Sequence, residues 1–269
     1  MKRRNVVFAI FALFFLAVFV VSSYKIISYY LEKKEENDLN QSMIQEAVVS
    51  IKSEPIYREE ETVTRPGTSE EEDVRKVLLY PDISVDLEKL KKEYPKIVGW
   101  LYLPDTVINY PVMQDEDNEY FVSHLPNGVD NPAGSIFMDC RNASNPLQKV
   151  SILYGHNMKN NSMFGRILDY RSPSYYEEHP YLFYFTDNKT FRLEVFAGVH
   201  TTSASYVYSL PVDDREFEKY LSKLCSSSVF KSEVSVSASD QIFVLSTCSG
   251  SRNDENRFVV CAKLVSIES

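Results

Sequence analysis

The chain has 269 residues, 44% of them hydrophobic and 25% charged, which is ordinary for a globular protein with one large domain or two small ones. With 18 Tyr and 16 Phe it has the material for a sizeable core. A formal net charge of -9 argues against a nucleic-acid partner, whose phosphates would be repelled.

The first element is read from polarity. Residues 1–5 form a basic head with Lys2, Arg3 and Arg4, Val6 to Val21 is wholly apolar, and no charge appears before Lys25. Extended to Tyr24, the run matches the roughly 17–25 residues of a membrane span better than the roughly 7–15 of a signal-peptide core. The exit reads VVSSYK, without an A-x-A-like cleavage site. Residues 6–24 are therefore expected to be an uncleaved transmembrane anchor. The basic head stays in the cytoplasm, and the rest of the chain lies outside a cell membrane crossed once. Residues 25–80, including REEETVTRPGTSEEEDVRK, read as a charged extracellular tether, although part of Asp38–Ile51 suits a helix. Residues 81–269 are the expected folded domain.

Within that domain, Asp86 caps a short predicted helix that Pro95 stops. Strands are predicted at Trp100–Leu103, Val107–Met113, Ser135–Asp139, Val150–Tyr154, Tyr181–Thr186, Phe191–His200, Gln241–Thr247 and Phe258–Val265. Helices are predicted at Ser162–Tyr170 and Asp213–Cys225, the second with Phe217, Tyr220, Leu221 and Leu224 on one face. Many short strands with few helices imply a mainly β fold, a closed or nearly closed barrel.

The chemistry gathers near the C-terminus. In QIFVLSTC, the residues Ile242, Val244, Ser246 and Cys248 share one strand face, and Phe243, Leu245 and Thr247 the other. The polar loop SGSRNDEN follows, then Arg257 opens FVVCAKLV. If the two strands are adjacent and antiparallel, Cys248 and Arg257 are neighbours at one rim. A nearby cation favours the nucleophilic thiolate, and a guanidinium can hold an oxyanion. A proton carrier is still needed. Of the four histidines, His156 ends the buried run VSILYG, His200 ends FRLEVFAGV and is its nearest rival, and His124 and His179 read as loop residues. Cys140 and Cys261 read as packed thiols, and Cys225 ends a helix without a basic neighbour in sequence. There is no H-E-x-x-H, no C-x-x-C and no cysteine cluster, so neither a metal nor another cofactor is expected.

YGHNM, LSTC and the arginine of RFVV, in this order, resemble a sortase, a membrane-anchored cysteine transpeptidase of Gram-positive bacteria. IVGWLYLPDTVINYPVMQ, DNEYF, GSIFMDCRN and YGHNMKNNSMFGRI resemble class B, and the likeness runs from about Leu87 to Val265. It implies a closed eight-stranded β-barrel with an N-terminal helix and a helix between strands 6 and 7. It assigns Cys248 as nucleophile, His156 as general acid and base, and Arg257 as oxyanion or substrate stabiliser, with Arg252 its rival in the loop. Ser246 and Asn118 match positions lining the sorting-signal groove, and the main chain of Thr247 adds to an oxyanion hole. The implied partners are secreted proteins with a C-terminal sorting signal and a peptidoglycan-precursor amine of the lipid II type. Cleavage would follow a threonine. A peptidase on the same barrel that only hydrolyses, and a non-catalytic wall-binding module, are the alternatives.

Overall fold

The computed structural model describes residues 2–50, 57–60, 75–78, 80–144, 148–248 and 255–267; of these, 2–6, 9, 50, 57–60, 75–78 and 248 are described by their main chain alone. Arg252, the predicted rival to Arg257, lies outside the described residues. The chain divides into two compact units, Met1–Ser42 and Met43–Ser269.

The first unit is helical. Helix α1 (Lys2–Ala47) covers the predicted anchor and continues well past it. Within Ile10–Ala47 it is long and apolar enough to cross a membrane, with a mean hydropathy of 2.3 in its most apolar window. Phe8, Leu13, Phe15 and Phe19 are all exposed.

The second unit begins earlier than the predicted domain. Met43 and Ala47 are buried, and Val48–Ser50 pairs antiparallel with Ile83–Val85. Tyr57–Glu60 pairs with Arg75–Leu78. Helix α2 (Leu87–Lys91) buries Leu87 and Leu90, and the Asp86 carboxylate accepts from Lys89 N at 3.0 Å as its cap.

Eight strands then close a barrel: β1 (Ile97–Tyr102), β2 (Asn109–Met113), β3 (Ile136–Met138), β4 (Val150–Tyr154), β5 (Tyr181–Phe185), β6 (Thr190–Thr202), β7 (Ile242–Cys248) and β8 (Asn256–Ile267). They run in the order β6-β8-β7-β4-β3-β2-β1-β5, with β5 returning to β6. The pairs β2–β3 and β4–β7 are parallel and the others antiparallel. Closure leaves the barrel no edge to pair with another chain.

Strand alternation sorts side chains into two layers. Phe243, Leu245, Phe258, Val260 and Leu193 fill the barrel interior. Ile242, Val244, Val259 and Cys261 face outward and are covered by helix α4 (Asp214–Ser226), whose Phe217, Leu221 and Leu224 are buried against them. Asp213 caps α4 by accepting from Glu216 N at 2.8 Å. As the sequence predicts, this helix lies between the sixth and seventh strands.

Two helical details differ from expectation. The segment predicted as a helix over Ser162–Tyr170 is a 3-10 helix, Gly165–Arg171, because Asn161 and Met163 hold positive φ angles of 62° and 53° that interrupt helical geometry just before it. A short helix, α3 (Pro173–Glu178), follows that periodicity does not reveal, since none of its residues is fully buried.

Candidate active site

β7 and β8 are antiparallel, and their last registered pair is Cys248 opposite Arg257. β7 also runs parallel to β4, with Ser246 opposite Tyr154, and Gly155 N donates to Ser246 O at 3.2 Å. His156 stands two residues beyond Tyr154, and Cys248 two beyond Ser246. The three predicted residues thus leave three neighbouring strands at one end of the barrel.

A cavity of about 470 Å3 opens there. His156, Arg257, Ser246, Thr247 and Asn118 all line it. The His156 ring is half-buried, and its Nε2–H donates to the carbonyl of Val122 at 2.7 Å, which leaves Nδ1 as the ring position able to exchange a proton with a reactant. The Arg257 guanidinium is partly exposed and donates from Nη1 to the carbonyl of Asn256 at 3.0 Å. Ser246 continues the outward face of β7 past the cover of α4, and its Oγ meets the Tyr208 hydroxyl at 2.8 Å. Thr247 alternates inward; its Oγ1 is buried with no hydrogen-bond partner among the described residues. The Asn118 side-chain oxygen accepts from Cys140 N at 2.8 Å, tying the loop before β3 to the strand's exit.

The rival groups lie elsewhere. His200 is exposed on β6, edge-on to Phe258 at 5.0 Å, and does not line this cavity. His124 stacks on Tyr120 at 4.1 Å and His179 on Tyr175 at 4.2 Å. Cys261 is fully buried under α4, and burial pushes its thiol well above the ordinary range; burial also raises Cys225. A larger cavity, about 580 Å3, is lined by Asp187, Lys189 and Ser266 at the Thr190 end of β6, away from the Thr202 end that adjoins Arg257. Among the described residues no cluster of His, Cys, Asp and Glu is arranged to hold a metal.

Further residues at the site carry no catalytic motif and were missed by sequence reasoning. Asp139, Arg141, Tyr154 and Tyr208 line the same cavity. The Asp139 carboxylate is fully buried and accepts from Arg141 Nε at 2.8 Å, Arg141 Nη2 at 2.7 Å and the Tyr154 hydroxyl at 2.8 Å. Burial alone would raise its pKa, but the donors from Arg141 and Tyr154 outweigh burial and bring it down to about 2. The one available signal was an aspartate ending an apolar strand with an arginine two residues on, in FMDCRN.

Comparison with known proteins agrees with this arrangement. A family model described as the sortase domain matches residues 101–265. The chain is 33% identical to the sortase B of Listeria monocytogenes over 267 residues, which are 98% of this chain and 99% of that protein. It is 32% identical to the sortase B of Staphylococcus aureus, over 93% of each. Among solved structures, the Staphylococcus aureus sortase B–substrate complex matches with a TM-score of 0.64 at 33% identity, over 67% of this chain and 85% of that one. Sortase B from Bacillus anthracis in complex with AAEK1 matches with a TM-score of 0.69 at 30% identity, over 88% of this chain and all of that one, 100%. Likeness at this level over nearly the full length, on the same closed barrel, shows that the chain belongs to the sortase family of cysteine transpeptidases, in its class B.

Proposed function

We propose that this chain is a membrane-anchored transpeptidase that cleaves secreted proteins after the threonine of a C-terminal sorting motif. It joins the acyl part to an amine of a cell-wall precursor of the lipid II type, anchoring surface proteins to peptidoglycan. The observation that carries the reading is the double register of β7, parallel to β4 and antiparallel to β8, which brings the ends of all three strands to one cavity.

In this reading the Cys248 thiolate attacks the threonine carbonyl carbon, and Arg257 donates hydrogen bonds to the oxygen as negative charge builds there. The main-chain N–H of Thr247 adds to that stabilisation. The C–N bond breaks, and His156 gives its proton to the departing amine. The acceptor amine then attacks the thioester carbon and loses a proton to His156, and the sulfur leaves as thiolate. Ser246 and Asn118 hold the sorting motif in the groove. Residues 6–24 cross the membrane with 1–5 in the cytoplasm, the predicted tether of 25–80 shortens to the stretch before Met43, and the compact unit from Met43 onward carries the chemistry outside.

The test is an assay of the extracellular part with a quenched sorting peptide, with and without an added amine. A transfer product is expected with the amine, and none with Cys248→Ala. His156→Ala should lower turnover by about 10²–10⁴, whereas His200→Ala should leave it near normal. Hydrolysis alone, despite saturating amine, would point to a peptidase. Cleavage that survives loss of Cys248 would end the proposal, and no cleavage at all would favour a binding module.

A further inference from the structure

The FMDCRN block has no part in the chemistry above, yet its acid and its base both face the cavity. Asp139 leaves β3 fully buried, and Arg141 grips it with two side-chain donors and its own main-chain N–H at 2.9 Å. The same Arg141 Nη2 reaches across to the main-chain carbonyl of Tyr208 at 3.1 Å. Tyr208 belongs to the single 3-10 turn Tyr206–Tyr208, in the connection between β6 and α4, and its hydroxyl meets Ser246 Oγ on β7. Its ring stacks on Tyr154, whose hydroxyl donates back to Asp139. A chain of hydrogen bonds through Arg141, Asp139, Tyr154 and Tyr208 therefore links the exit of β3, the end of β4, the turn and β7.

We propose that Arg141, set in place by Asp139, is a positioning residue for the sorting peptide: it fixes the Tyr206–Tyr208 turn so that the hydroxyls of Tyr208 and Ser246 form a preset polar wall of the groove. The inference rests on the transpeptidase reading. The physical reason is geometric. A guanidinium is planar and can hold a carboxylate and a carbonyl in one rigid fork, which an ammonium cannot. The Asp139–Arg141 pair is also neutral as a unit, so this wall suits an uncharged stretch of extended peptide, met through main-chain amides and hydroxyl or carboxamide side chains. A wall assembled before binding spares the peptide the ordering cost of assembling it.

The experiment compares the full chain, held in detergent, with its Arg141→Lys, Tyr208→Phe and double variants. Arg141→Lys keeps a positive charge beside Asp139 but cannot reproduce the fork. Amide exchange over residues 203–209 should rise about tenfold in Arg141→Lys, with β7 and β8 unchanged. The peptide KM should rise about tenfold, while the rate of Cys248 alkylation by iodoacetamide stays within about twofold. The double variant should be no worse than the more impaired single variant, because the arginine acts through Tyr208. Tyr208→Phe leaves the ion pair intact and should raise KM without loosening the barrel, which keeps the test decisive if Arg141→Lys folds poorly. Additive losses in the double variant, or unchanged exchange and KM in Arg141→Lys, would overturn the proposal. A wild-type protein that turns over no peptide would sink the transpeptidase reading instead, and the exchange measurement would still decide whether Arg141 holds the turn.

Discussion

Asp139 shows how burial and hydrogen bonding compete at a single residue. A carboxylate with no exposed surface is costly, yet three side-chain donors and one main-chain donor hold it charged. Its pKa near 2 in the folded chain lies below the value of about 3.9 expected when unfolded. The sign follows: the stabilisation is fully present above about pH 4 and is lost as pH falls through 2. Asp139→Asn should therefore be less stable than wild type at neutral pH by about 1.5–3 kcal/mol, the worth of hydrogen bonds to a charged group. That gap should close between about pH 4 and pH 2. Denaturant titrations of both proteins across this range check it, and a gap that is constant down to pH 2 would show that the charge does not stabilise the fold.

At the scale of elements, the critical join is the exit from β4. Gly155 has no side chain because an added Cβ would stand 2.7 Å from Phe164 Cγ and 2.8 Å from Cδ2, and that ring is fully buried. Phe164 N also donates to the carbonyl of His156 at 2.9 Å, so ring, glycine and histidine move together. Gly155→Ala should cost about 1–3 kcal/mol through overpacking. With His156 in its proposed role, turnover should fall further than stability does, by about 10²-fold, because a displacement near 1 Å would carry the imidazole away from the reacting amide. Thermal melting together with peptide cleavage separates the two effects; full activity in a folded Gly155→Ala protein would show that the exit tolerates movement. The short helix α3 belongs to this scale too. Its sequence carried a Ser172-Pro173 start signal, but its six residues pack only Tyr175 and Tyr176, adjacent in sequence, against the core, too short a run for a helical period to show.

At the scale of the molecule, the folded unit takes in residues far ahead of the first barrel strand. Met43 and Ala47 are each 1% exposed, Ala47 O accepts from Asp86 N at 2.9 Å, and Val48–Ser50 forms a ribbon with Ile83–Val85. A chain beginning at Lys33 should therefore be more stable than one beginning at Tyr80. The loss of the buried methionine and its neighbours is worth about 3 kcal/mol, or roughly 6–12 °C in Tm for a domain of this size. Calorimetry of the two chains measures it; equal melting temperatures would show that residues 43–50 add nothing to the fold. The exposed apolar surface of α1 belongs to the other unit, whose helix is long and apolar enough to cross a membrane.

The sequence by itself determined the local features: where strands lie, which faces are apolar, where an apolar span begins, and that a cysteine and an arginine flank one polar loop. These are legible because alternation, turn residues and hairpin adjacency act over a few residues. The meeting of Cys248 with Arg257 could be read this way, since one loop joins their strands. His156 could be singled out as a strand-ending histidine, but its place beside β7 depends on the parallel β4–β7 register, which links residues more than ninety positions apart. Only the tertiary structure decided that register, the depth at which Asp139 is buried and the reach of Arg141 to Tyr208. Such contacts arise from closing the barrel, and no short-range pattern encodes which distant side chains closure will bring together.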